Sequence, residues 1–176
     1  MALTDGDYLK VAAKIVATLL SDTNSGGLRE GDEPPVRTIE ARLPEENRYY
    51  GKHELPLIAV EVKGKREVHE PNMRCEAKVF DVEFIVLTRG GDRQKENQQC
   101  KKIAHRLEKI FREQSQSNKP FQGLPDSIED SEGVLLARLR NTFFEAARSE
   151  EASPKRPTAR AVVRGELWIP CNLGTD

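Results

Sequence analysis

The sequence predicts an α+β fold, with an antiparallel sheet of about four strands and two helices packed on one face. Three observations carry this. Two segments place apolar residues at three- and four-residue steps, and four others place them at two-residue steps. Their order along the chain is helix, strand, strand, helix, strand, strand. Neighbouring strands with short connections pair antiparallel, and a sheet with one apolar face needs helices to cover it.

Residues 5–21 read as an amphipathic helix on the spacing of Tyr8, Val11, Ala12, Ile15, Val16, Leu19 and Leu20. Thr4 or Asp5 is available to cap its start, and Asn24-Ser25-Gly26-Gly27 breaks the chain after it. Residues 28–55 are polar, carry Pro34-Pro35 and read mostly as an ordered loop. The alternation of Ile39, Ala41 and Leu43 leaves room there for one short strand. Residues 57–62 read as a strand with Ile58, Val60 and Val62 on one face, and Lys63-Gly64-Lys65-Arg66 as an exposed turn. A longer strand covers residues 77–88, with Phe80, Val82, Phe84 and Val86 on one face and Asp81 and Glu83 on the other. Ile85 and Leu87 make its far end apolar on both sides, so a cover is expected there. Asp92 is a natural N-cap for a second helix at residues 93–114, whose apolar stripe is Cys100, Ile103, Ala104, Leu107, Ile110 and Phe111. Two more strands are read at 134–144 and 161–169, joined by a charged, exposed loop at 147–157. Ile15, Leu19, Val82, Phe84, Leu107 and Ile110 are expected to be buried together.

The 176 residues fit one domain, spanning 1–176, with polar loops at about 22–55, 115–132 and 147–160. A chain of this size buries about two thirds of its unfolded surface and needs no disulfide or metal staple. The 28 basic and 29 acidic residues give a formal net charge of -1, without the basic excess of a dedicated nucleic-acid binder. No apolar run approaches the ~20 residues that cross a bilayer, and the start Met1-Ala2-Leu3-Thr4-Asp5 lacks the pattern of a signal peptide. No membrane partner is expected. Cys75, Cys100 and Cys171 are odd in number and far apart, which points to buried thiols in a reducing compartment.

The motifs of catalysis are missing. There is no H-E-x-x-H, C-x-x-C, G-x-S-x-G or Walker-type glycine loop. His53, His69 and His105 stand in no recognised motif. Cys100 and His105, five apart on a helix, are turned about 140° from each other. A zinc set of His69, Cys75 and remote Cys171 lacks the closely paired ligands of structural zinc. Asp81 and Glu83 lie about 7 Å apart on one strand face, a spacing that suits a solvated or subunit-facing surface as well as a metal. Lys101, Lys102, Arg106, Lys109 and Arg112 make one side of the second helix basic. Glu108 and Glu113 interrupt it, and no aromatic residues interleave for base stacking. No enzymatic activity, cofactor or bound metal is expected. A metal-dependent enzyme with a scattered site and a nucleic-acid-binding module are the alternatives from other functional classes.

The stretch Glu54-Leu55-Pro56-Leu57-Ile58-Ala59-Val60, opening the first strong strand, resembles the bacteriophage tail terminator family. The layout agrees over residues 5–170. A first helix leads through a polar loop to a strand of the L-P-x-I-x-V kind, then to a long strand, a helix and a closing strand pair. The resemblance implies a structural protein of the virion tail, assembled in the host cytoplasm. It implies a homo-oligomer, a hexameric ring, that caps the tail tube, stops polymerisation of tube protein and meets the head-tail connector or neck protein. DNA passes through the channel without sequence-specific binding.

A ring needs a heterologous contact, one patch meeting a different patch on the next subunit. The expected contacts are mixed-charge elements. They are Arg148, Glu151, Lys155, Arg156 and Arg160 around the long loop, Lys102, Arg106 and Lys109 on the second helix, and Asp81 and Glu83 as acidic counterparts.

Overall fold

In a computed structural model, the described residues are 7–41, 50, 51, 53–69, 75–117, 121, 136–148 and 158–170. They form α1 (Asp7–Leu20), β1 (Thr38–Glu40), β2 (Leu57–His69), β3 (Cys75–Arg89), α2 (Arg93–Ser115), β4 (Leu136–Arg148) and β5 (Thr158–Pro170). The fold is α+β, with a mixed sheet of five strands in the order β1-β2-β3-β5-β4. The expected count of about four rises by the three-residue β1, which pairs parallel to the start of β2 through Thr38↔Leu57, Ile39↔Ile58 and Glu40↔Ala59. All other pairings are antiparallel.

Both helices lie on the same face, as the two apolar stripes require. α1 packs on β1 and β2, and α2 spans β3, β5 and β4. Ile15 and Leu19 of α1, Val82 and Phe84 of β3, and Leu107 and Ile110 of α2 belong to one buried cluster. The stripe expected on α2 is its buried face, residue for residue. Asp92 caps α2, accepting from the backbone N–H groups of Gln94 (2.8 Å) and Lys95 (3.3 Å). The segment after α1 is ordered through buried Leu28 and Val36. Its turn needs glycine, since a Cβ on Gly27 would stand 2.4 Å from the carbonyl oxygen of Asp22. The caps proposed at Thr4 or Asp5 lie outside the described residues.

One expectation fails. Residues 63–66 are not a turn, because β2 runs through them to His69. A register shift between Val62 and Gly64 makes Lys63 the extra residue of a bulge, and Gly64 resumes pairing opposite Asp81. The run of charge looked like an exposed turn because the strand beyond the bulge pairs its polar side chains with those of its neighbours. β4 and β5 likewise extend beyond their expected bounds, to Arg148 and from Thr158, so Arg148 and Arg160 stand on strands and the connecting residues are 149–157.

The second face of the sheet is divided. At one end Tyr50, Leu55, Leu57, Ala59, Ile85 and Val162 form a small apolar cluster, the expected cover over Ile85 and Leu87. The middle of this face is charged, and Val79 of β3 and Trp168 of β5 are register partners beyond it.

Candidate functional site: a neutralised charged face

Register alone places like charges opposite each other on this face. Glu61 pairs with Glu83 across β2 and β3, and Asp81 with Glu166 across β3 and β5. Like charges directly opposite on a sheet repel unless something bridges them. A cation bridges each pair. Lys63 pairs with Glu61 and lies 3.6 Å from Glu83. Arg66 donates from one terminal nitrogen to Asp81 (3.0 and 3.2 Å) and from the other to Glu166 (2.5 Å).

β-Bulges supply part of this arrangement by re-aiming side chains. Lys63 is the extra residue of the β2 bulge. Arg140 is the extra residue of a second one, between Leu139 and Asn141 of β4, and it too donates to Glu166. Arg164 donates to Glu83 at 2.6 Å and lies 5.1 Å from the centre of the Phe143 ring. Glu83 and Glu166 lie deep with cations over them, whereas Asp81 is about half exposed. The side chain of Glu166 is 2% exposed, whereas those of Arg66 and Arg140 are 43% and 47% exposed.

Burial alone would raise the pKa of Glu166. Hydrogen bonds from Arg140, Arg66 and Trp168 outweigh it and hold the carboxyl at about 2. Because the folded pKa lies below the ordinary 4.5, this stability is complete above that value and is lost as pH falls toward 2. The stability gap between wild type and Glu166→Gln is therefore expected to be widest near neutral pH. It should narrow by on the order of 2 kcal/mol in acid, after allowing for solvent screening of the half-exposed arginines. Urea unfolding of both proteins across this pH range measures it, and a gap independent of pH would contradict the ion-pair assignment.

The residues expected at a subunit contact are distributed as follows. Asp81 and Glu83 belong to the bridged network just described. Arg106 turns inward, donating from Nε (2.9 Å) and a terminal nitrogen (2.5 Å) to Asp22. Asp22 also accepts from the backbone N–H of Leu28, at 2.8 Å. Burial pushes the Asp22 carboxyl up, but these donors hold it below its ordinary value. Lys109 lies 3.9 Å from Glu113, and Lys102 is exposed beside a groove lined by Gly26, Leu28 and Gln98. Arg160 is half-buried, 3.6 Å from Glu145. Glu151, Lys155, Arg156 and the side chain of Arg148 lie outside the described residues.

His53 and His105 are exposed. The backbones of His69 and Cys75 are register partners across β2 and β3, while their side chains and Cys171 lie outside the described residues. Cys100 is buried, and burial pushes its thiol up to about 12, so it stays protonated at neutral pH. Among the described residues no three His, Cys, Asp or Glu side chains converge as metal ligands, and no helix is long and apolar enough to cross a membrane.

No family model and no curated protein matches the chain. The Glu166 cluster and the Asp22–Arg106 pair escaped sequence reasoning. For the cluster a signal existed. Once β3 and β5 are paired through Phe84 and Val163, Asp81 must face Glu166 and a bridging cation is required.

Proposed function

We propose that the protein is a ring-forming tail terminator of a tailed bacteriophage or a related tail-like particle. In this role it assembles as a hexamer in the host cytoplasm and becomes part of the virion tail. The ring caps the tail tube, stops tube polymerisation and offers a surface to the head connector or neck protein. The observation that carries the proposal is the element order: α1, a polar loop, β2 opening at Leu57 after Leu55-Pro56, the long β3, α2 and the β4–β5 pair.

Two further features support it. Among the described residues the two helices cover one face of the sheet, and the charged middle of the second face is open to contacts between subunits. The charges of that second face are matched carboxylate to cation, which suits a protein that lets DNA pass without gripping its phosphates. Mixed-charge contacts set the register between subunits, with Arg148, Glu151, Lys155 and Arg156 on and beside the connection from β4 to β5, and Lys102 and Lys109 on α2.

Deleting residues 151–156 leaves β5 intact from Thr158 and is expected to give a folded subunit that assembles or caps poorly. Sedimentation of wild type and deletion with tube protein, at low and high salt, tests this, with circular dichroism to establish folding. A deletion protein that forms the same ring and still stops tube growth would remove the loop from the contact. A wild-type monomer that takes up a metal or shifts DNA in a gel would favour an enzyme or a nucleic-acid-binding module instead.

A further inference from the structure

A groove of about 510 Å³ runs along the first turns of α2, between that helix and the segment that follows α1. Buried Leu28 and Ile103 form its floor with Pro35, and Lys95 and Lys102 stand exposed along its α2 side. Arg106 closes one end, already held by Asp22. A spacing of seven residues sets Lys95 and Lys102 on one side of the helix, about 10 Å apart. Farther along α2, Arg106, Lys109 and Arg112 each face a carboxylate. Lys95 and Lys102 pair with none among the described residues. An apolar floor beside two uncompensated cations suits an acidic partner that carries an apolar side chain between its carboxylates.

The chain itself carries such a segment. Between Lys119 and Arg138 it has four carboxylates, Asp126, Glu129, Asp130 and Glu132, and no cation. The segment lies outside the described residues. Alternate side chains of an extended chain share a side, so Asp126, Ile128 and Asp130 can present acid, apolar group and acid over about 13 Å. The lysine side chains are long enough to take up the difference from their own spacing.

We infer that the acidic segment 126–132 of one copy docks in the groove beside Lys95 and Lys102 of a second copy. Ile128 then covers the Leu28–Ile103 floor, and Asp126 and Asp130 meet the two lysines. Groove and segment stand apart on one subunit. Phe121, shortly before the segment, packs on Phe111 and donates its backbone N–H to Gln114 near the end of α2. Leu136, shortly after it, starts the edge strand β4. The groove lies by the first turns of α2 and the chain that leads to β1, at the opposite edge of the sheet. That separation is what a heterologous contact requires, and the same contact repeats around a ring. Closure into a ring rests on the proposed function; the contact itself is tested separately.

The test is sedimentation velocity of the full chain with charge reversals. Lys95→Glu/Lys102→Glu and Asp126→Lys/Asp130→Lys are each expected to associate about 10-fold or more weakly than wild type. A chain with all four changes is expected to regain association, because every groove again meets a segment of opposite charge. Circular dichroism establishes folding, and Lys102→Glu or Asp130→Lys alone replaces a double variant that does not fold. A labelled synthetic peptide of residues 124–134 is expected to bind the Asp126→Lys/Asp130→Lys chain, read by fluorescence anisotropy, and to bind the four-change chain about 10-fold or more weakly. Rings undiminished by either reversal, no recovery with all four changes, or a peptide that binds both chains alike overturn the contact and leave the ring proposal standing. Peptide binding lost on reversal with association unchanged assigns the groove to the segment of the same copy, and also overturns the contact between copies. A wild-type chain that stays monomeric at every concentration overturns both proposals.

Discussion

Phe111→Ala is expected to lower the unfolding free energy by about 3–5 kcal/mol, the range for emptying a buried aromatic site. Phe111 is 2% exposed and meets Phe84 and Phe121 edge-on, at ring-centre distances of 5.7 and 5.5 Å. It also fills the space that Gly165 leaves on β5, where a Cβ would come within 2.5 Å of the ring. Helix and sheet approach closely at this point because glycine stands opposite phenylalanine. Removing the ring opens a cavity that the paired strand beneath cannot close by moving toward α2. Urea unfolding should show a lower midpoint with an unchanged slope. A loss below about 1 kcal/mol, too small for an emptied core site, would mean that the helix–sheet contact is looser than described.

Asp22→Ala is expected to cost about 3 kcal/mol, because it leaves the buried Leu28 N–H without its acceptor and Arg106 with only Glu113, 3.6 Å away, as a carboxylate neighbour. Arg106 is only 18% exposed, so solvent replaces the carboxylate poorly. The pair ties α2 to the segment that follows α1 and so links the two helices of the covered face. Asp22→Asn keeps an oxygen for Leu28 but loses the charge facing Arg106, and it should fall between alanine and wild type. A double-mutant cycle with Arg106→Met isolates the pair. Additive losses would show that Asp22 and Arg106 do not act together.

Much of the fold is legible in the sequence, because periodicity reports burial directly. The stripe from Cys100 to Phe111 defines the buried face of α2, and the alternation from Phe80 to Val86 defines the helix-covered face of β3. The Lys63–Arg66 stretch is not legible in that way. A bulge inserts one residue, so the alternation loses its phase while the strand continues. β1 is three residues long, and its existence depends on an edge that β2 offers rather than on its own pattern. The surface was harder to read than the core. Arg106 belongs by sequence to the basic side of a helix, but its partner, Asp22, lies 84 residues away and only the packed helices bring them together. Glu166 alternates with Val163, Gly165 and Leu167 as a solvent-facing residue should, and is instead 1% exposed because Arg66 and Arg140 lie over it.

The proposed closed ring and a lone subunit differ sixfold in mass in solution. Sedimentation equilibrium of the wild-type chain over a wide concentration range, alone and with tube protein, is the measurement. A discrete species at six times the chain mass that does not grow further at high concentration is the predicted result. A monomer at every concentration, unchanged by tube protein, would contradict it.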